Sequence, residues 1–122
     1  MTKALVIVED DRDMRELIRL ALASEPVLRI VGEAASADGG VTLAQREQPD
    51  LIILNHYLEN DTRGLAAAPA LKAAAPHAKV LLFSSHDLTI DASREAAVDV
   101  FLSKRKLTSL LPTVSDLLDL AR

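Results

Sequence analysis

Five short apolar runs recur along the chain, and they constrain the possible fold more than any other feature of the sequence. They do not alternate between apolar and polar residues, as a strand with one solvated face does. They are therefore typical of strands buried on both faces, as in a parallel sheet. The runs cover residues 4–8, 29–33, 51–54, 80–83 and 98–102.

The segments between these runs carry helical patterns. The first has an apolar face with helical spacing, and Asp11 is placed to cap it. Further helices are predicted after Ser36, within 65–75, after Asp87 or Thr89, and from about 108 to the end of the chain. The residues of the first apolar face are Met14, Leu17, Ile18, Ala21 and Leu22.

Two prolines lie inside these helical patterns. Proline is well tolerated only in the first turn of a helix, where the missing N–H would have no partner inside the helix. Pro69 therefore predicts that the third helix begins late, near residue 66 or 67. By the same argument, Pro112 predicts that the fifth helix begins near residue 108 or 109.

Strands that alternate with helices predict repeated βαβ units. Five repeats give an α/β fold of the (βα)5 type, a doubly wound parallel sheet between two layers of helices. With 122 residues, we expect one domain over 1–122.

Composition excludes several classes of function. The chain has no cysteine, which removes disulfide frameworks, Cys-ligated zinc and thiol nucleophiles. Its net charge of −4 argues against direct binding of nucleic acid, which favours a basic patch. No apolar run approaches the length of a membrane span. We expect a cytoplasmic domain without membrane contact.

Polar side chains follow four of the predicted strands. Glu9, Asp10 and Asp11 follow the first, Asn55 the third, Ser84 the fourth and Lys104 the fifth; Asp11 is better explained as a helix cap. In open α/β sheets the binding crevice lies beyond the carboxyl ends of the strands. Crowded carboxylates need a cation, and oxygen ligands favour Mg²⁺. A hydroxyl and an ammonium opposite that ion would suit a phosphoryl group.

This ordered set resembles the receiver domain of two-component response regulators, the CheY-like fold. The matching segments are 6–11 with Arg15, 49–54 leading into position 55, 82–85, and 98–104. The resemblance covers essentially the whole chain and implies the flavodoxin-like strand order 2-1-3-4-5.

The resemblance also implies roles for individual residues. Glu9 and Asp10 would hold Mg²⁺ together with position 55 and the backbone carbonyl of Tyr57. Ser84 would rotate toward a phosphoryl oxygen, and Lys104 would pair with the phosphoryl group. Phe101 would be the aromatic switch residue that moves with Ser84.

Position 55 departs from the family, whose phosphoacceptor there is an aspartate. The neutral amide of Asn55 is a poor nucleophile, and its phosphorylated product would not be stable. The change also removes one negative charge, so Mg²⁺ affinity should fall, although an amide oxygen can still ligate a hard ion. The loop 56–68 departs too, and its geometry is the hardest to predict.

Two explanations of Asn55 remain open at this point. It was introduced to hold a phosphorelay receiver unphosphorylated, or it is native to an atypical pseudo-receiver that binds or dimerises without phosphate. An enzyme is disfavoured, because Asp11 and Asp13 only faintly resemble the aspartate pair of haloacid-dehalogenase-type phosphatases. A flavodoxin is also disfavoured, because the acidic Glu9 and Asp10 lie where its phosphate-binding loop would be.

The resemblance implies particular partners. A sensor histidine kinase or a histidine phosphotransfer protein would donate the phosphoryl group. The surface of the fourth helix, fifth strand and fifth helix would contact an output protein or domain, and a homodimer is a further possibility. No output domain follows the fifth helix within these residues, so we expect either a single-domain regulator or a receiver excised from a longer protein.

Overall fold

The computed structural model describes residues 1–120, and a five-stranded parallel sheet forms its centre. The strand order is 2-1-3-4-5 when the strands of this sheet are counted along the chain, so the predicted fold and topology are confirmed. The sheet strands are β1 (Lys3–Val8), β2 (Leu28–Ala34), β3 (Leu51–Leu54), β6 (Lys79–Ser84) and β7 (Val100–Ser103).

Helices cover both faces of the sheet. None in the described part of the chain is long and apolar enough to cross a membrane. The helices are α1 (Arg12–Leu22), α2 (Ala37–Glu47), α3 (Gly64–Ala74), α4 (Thr89–Ser93) and α5 (Leu110–Leu117).

The sheet separates two apolar cores. Leu5 and Ile7 of β1 point to one core and the intervening Val6 to the other, because successive strand residues face opposite sides. Ile18 of α1 packs into the first core, and Leu71 of α3 into the second. All of these side chains are fully buried, as the unbroken apolar runs predict.

Side-chain caps fix where two of the helices begin. The Asp11 carboxylate accepts a hydrogen bond from the backbone N–H of Asp13 at 3.0 Å, and the Ser36 hydroxyl accepts one from Gly39 at 3.1 Å. Both caps satisfy backbone donors that have no partner inside the helix. The predicted Asp11 cap and the helix predicted after Ser36 are confirmed, and the Asp11 cap places α1 directly after the acidic segment.

The predicted late start of α3 is wrong. The helix begins at Gly64, and Pro69 lies in its interior. A proline there removes one helical hydrogen bond, but the helix also buries Ala68 and Leu71 completely. Tertiary burial therefore overrides the local preference. Pro112 does lie in the first turn of α5, which a 3₁₀ segment over Lys104–Ser109 precedes.

A small hairpin delivers the chain to α3. Strand β4 (Tyr57–Leu58) pairs antiparallel with β5 (Thr62–Arg63), and a 3₁₀ turn over Glu59–Asp61 joins them. Asn60 and Asp61 in this turn have φ angles of 63° and 56°, which asparagine and aspartate tolerate better than most residues. The hairpin occupies the loop that the sequence left least defined.

The close approach of Gly64 to the end of β3 yields a testable expectation. A Cβ at Gly64 would lie 2.1 Å from the backbone oxygen of Asn55, so Gly64→Ala must shift main chain. We expect a loss of about 3 kcal/mol in the free energy of unfolding, measured by urea titration. Gly39→Ala, whose Cβ would meet only side-chain atoms of Ser36 and Ala34, is the control and should cost less than about 1 kcal/mol.

Candidate functional site

A buried carboxylate lies at the end of β1. Glu9 is only 1% exposed, and its backbone N–H donates to the carbonyl of Ala34 at 2.9 Å, which extends the β1–β2 pairing by one residue. The Glu9 carbonyl accepts a hydrogen bond from the Arg15 guanidinium at 2.7 Å. The side-chain oxygen Oε2 accepts one from the N–H of Asp11 at 3.1 Å. The turn into α1 therefore holds this carboxylate in place.

The end of β3 brings Asn55 against this carboxylate. The backbone N–H of Asn55 donates to the carbonyl of Val8 at 2.9 Å, and its side chain is buried. Its amide nitrogen Nδ2 lies 3.0 Å from Glu9 Oε2, 3.2 Å from Asp10 Oδ1 and 2.6 Å from the carbonyl oxygen of Tyr57. The amide thus contacts the three groups that the resemblance assigns to a cation.

Lys104 supplies the positive charge of the site. Its Nζ lies 2.7 Å from Glu9 Oε1, and both side chains are largely buried. Within the described residues this oxygen accepts no well-directed hydrogen bond, so the contact is an ion pair. Burial raises the pKa of the Glu9 carboxyl and the side chain of Asp10 adds to the rise, whereas Lys104 and the N–H of Asp11 oppose it.

Ser84 and Phe101 lie beside this cluster without joining its hydrogen bonds. Ser84 is buried at the end of β6, and its hydroxyl accepts a hydrogen bond from the N–H of His86 at 3.2 Å. Phe101 pairs with Leu82 across β6 and β7 and packs, half-buried, on the core beneath α4. The sheet therefore places Ser84 at the same edge as Asn55, and Phe101 on the α4 side.

A cluster of aromatic and basic side chains adjoins the site. The Tyr57 ring makes edge contacts with His56 and His86 at centroid distances of 5.0 and 4.8 Å, and the Arg63 guanidinium lies 4.5 Å from its centroid. Neither histidine was among the residues that the sequence placed at the site. Their spacing in the sequence gives no signal, because the hairpin and the β6–α4 loop bring them together.

The donor set at this site only partly suits a divalent cation. Two carboxylates and a carbonyl are the hard oxygen ligands that Mg²⁺ prefers. However, no group of three or more acidic or histidine side chains converges within residues 1–120. The Asn55 nitrogen lies where the three oxygens meet, so a cation and this amide arrangement cannot occupy the same place.

Comparison with known proteins gives a family. A family model described as the response regulator receiver domain matches residues 5–114. The response regulator protein VraR of Staphylococcus aureus (strain Mu3 / ATCC 700698) is 30% identical over 106 residues, which are 85% of this chain and 50% of that protein. The chain thus spans about half the length of the curated relatives it matches.

Solved structures agree on the fold. A two-component response regulator of the LuxR family from Aurantimonas sp. SI85-9A1 has a TM-score of 0.88 at 23% identity, over 100% of this chain and 89% of that one. The response regulator domain of Thermotoga maritima CheB has a TM-score of 0.85 at 20% identity, and each chain is covered completely. At these identities the likeness concerns the fold alone.

The Glu9–Lys104 pair predicts a stability effect. Lys104→Met should lower the free energy of unfolding by about 3 kcal/mol, because it leaves the buried carboxylate without its cation. Lys106→Met, at an exposed position two residues away, should change it by less than about 0.5 kcal/mol. The double variant Glu9→Gln/Lys104→Met should recover part of the loss. Equal losses for Lys104→Met and Lys106→Met in urea unfolding would contradict the assignment.

His56 predicts a dependence of stability on pH. Burial lowers the pKa of His56 below its ordinary value of 6.5, and the nearby Arg63 and His86 lower it further. The unfolded chain then binds the proton first, so stability is lost as the pH falls from about 6.5 through the folded-state pKa. We expect His56→Gln to show a shallower loss over this range in urea unfolding. His77→Gln is the control, and identical slopes for both variants would refute the assignment.

Proposed function

This chain belongs to the response regulator receiver domain family, and on that premise we propose that it is a receiver that takes no phosphoryl group at position 55 and works through protein contacts. Receiver domains are signalling modules of two-component systems. The proposal makes this chain a member without catalytic activity of its own and extends the domain over 1–122.

The hydrogen bonds of the Asn55 amide carry this proposal. Phosphoryl transfer to a receiver needs an anionic oxygen free to attack phosphorus. Here the side chain is a neutral amide whose nitrogen donates toward Glu9, Asp10 and the Tyr57 carbonyl. Lys104, which the resemblance assigns to the phosphoryl group, is paired with Glu9 instead. The site is closed around its own residues.

The retained residues favour a second candidate. Glu9, Asp10, Ser84 and Lys104 stand together at the strand ends, although a pure docking module has no physical need for all of them. This favours a phosphorelay receiver in which Asn55 stands for the phosphoacceptor aspartate. In that case Asn55→Asp restores the phosphoacceptor. Ser84 then rotates toward the phosphoryl group, Phe101 moves with Ser84, and Mg²⁺ binds at the acidic residues.

The proposed partner surface is formed by α4, β7 and α5. A surface cleft beside α4 and β7 is lined by Ser85, Asp87, Thr89, Phe101, Arg105 and Lys106, among others, so it combines an aromatic side chain with acidic and basic ones. An output protein, an output domain or a second copy of the chain is the proposed occupant of this surface. A sensor histidine kinase or histidine phosphotransfer protein is the proposed donor for the phosphorelay form. We propose a cytoplasmic location, with no direct nucleic-acid contact by this domain.

Treatment with a small phosphodonor tests the two candidates together. In millimolar Mg²⁺, the chain with Asn55 should gain no labile phosphoryl group by intact-mass spectrometry. Asn55→Asp should gain one if the retained residues still form a working acceptor site.

The matched control is Asn60→Asp, which makes the same chemical change at an exposed turn residue of the hairpin. It should remain unmodified. A labile phosphoryl group on the chain with Asn55 would refute the main proposal. An unmodified but folded Asn55→Asp variant would refute the phosphorelay candidate and leave the docking module.

A further inference from the structure

Three oxygen atoms from two segments converge on one nitrogen atom from a third. Glu9 and Asp10 follow β1, Tyr57 begins the hairpin, and Asn55 lies between them at the end of β3. The amide nitrogen is within 3.2 Å of an oxygen of each. Convergent oxygens at such distances repel one another unless a donor or a cation lies between them.

The chemistry of the surroundings determines which amide atom faces the three oxygens. All three are acceptors: a carbonyl oxygen has no proton, and neither has an ionised carboxylate. The NH₂ group of Asn55 is the only part of that side chain that can donate to them. Turning the amide over would place its own oxygen against three acceptors, which would be unfavourable without a cation.

The Lys104 ammonium offsets the negative charge of the acidic residues. The amide is neutral, so it cannot balance Glu9 and Asp10 by itself. The Lys104 ammonium lies 2.7 Å from the other oxygen of Glu9 and supplies a full positive charge. An NH₂ donor and an ammonium together satisfy oxygens that would otherwise need a divalent ion.

We infer that the Asn55 amide, with Lys104, takes the structural place of the divalent cation, so that the site is complete without Mg²⁺ and a cation can bind only by displacing the amide. This inference rests on the proposed function only in treating position 55 as unphosphorylated. It concerns the cation, and the phosphodonor experiment does not decide it.

Replacing the Asn55 amide by a carboxylate creates a site that requires a cation. In Asn55→Asp the donor becomes an acceptor, and three carboxylates then face one another with Lys104 as the neighbouring cation. Such a site is destabilised by like charge until a cation binds. A ligand that binds only the folded state then raises the stability of this variant and not that of the chain with Asn55.

The test measures the thermal unfolding midpoint, Tm, in a chelator and in millimolar Mg²⁺ at equal ionic strength. The chain with Asn55 should show the same Tm in both solutions. Asn55→Asp should have a lower Tm in the chelator and gain roughly 5 °C or more in Mg²⁺. Asn55→Ala, which removes the donor and frees the place between the oxygens, should have a lowered Tm that Mg²⁺ raises by less than in Asn55→Asp, because one carboxylate fewer faces the ion. Asn60→Asp, which keeps Asn55, should behave as the unsubstituted chain does.

Tyrosine fluorescence gives a second readout at the site itself. Tyr57 is the only tyrosine and the chain has no tryptophan, so the emission reports this residue alone. Its carbonyl accepts from Asn55 and its ring is held by His56, His86 and Arg63. Mg²⁺ should change the emission of Asn55→Asp in a saturable titration and leave that of the chain with Asn55 unchanged.

The side-chain amide itself can be observed by NMR. The side-chain amides of the sequence are those of Asn55, Asn60, Gln45 and Gln48, so signals from four NH₂ groups are expected. Asn55→Ala identifies the signals of Asn55, because they disappear in that variant. In the unsubstituted chain the hydrogens of the Asn55 NH₂ group should exchange most slowly with solvent, and their signals should not shift with Mg²⁺.

Measurements on the unsubstituted chain test the inference even if Asn55→Asp fails to fold, because the inference predicts no Mg²⁺ response from that chain. A saturable Mg²⁺ response of its Tm, its Tyr57 emission or its Asn55 NH₂ signal would overturn the inference. Such a response combined with no phosphoryl gain from the phosphodonor would overturn this inference alone and leave the proposed function standing.

Discussion

The buried Glu9 carboxylate is the constraint on which the carboxyl end of the sheet depends. Removing a carboxylate from water is costly unless donors or cations replace the water. Here they come from separate segments: the Asp11 N–H at the start of α1, the Asn55 amide after β3 and the Lys104 ammonium after β7. Because no single segment supplies them all, the satisfied carboxylate exists only when the strands are assembled in this order.

Hydrogen bonds at the end of β3 also connect the sheet to the hairpin. Asn55 donates to the Tyr57 carbonyl, and the Gly64 N–H donates to the carbonyl of His56 at 2.5 Å, so both ends of the hairpin are tied to the end of β3. The side chain at position 55 therefore contacts the first residue of the hairpin that leads into α3. In a family of signalling modules, this coupling links the chemistry of one buried side chain to an exposed surface that includes Tyr57.

Local patterns predicted most of the fold. The apolar runs locate the strands of the sheet, although β7 begins at Val100 and not at 98, and the caps at Asp11 and Ser36 locate α1 and α2. The start of α3 could not be predicted this way. Pro69 is unfavourable in a helix by local rules, and only the burial of the α3 side chains in the finished core offsets it. The histidine and tyrosine contacts likewise need the folded hairpin.

The sequence by itself determined which chemical groups stand at the strand ends, because in a parallel sheet the residue after each strand reaches the same edge. It therefore identified Glu9, Asp10, Asn55 and Lys104 as neighbours. Only the tertiary structure decided how they pair: the amide nitrogen faces the acidic residues, and Lys104 binds Glu9. Glu9 and Asn55 are 46 residues apart, and a hydrogen bond between them depends on strand spacing and side-chain orientation, which no local pattern encodes.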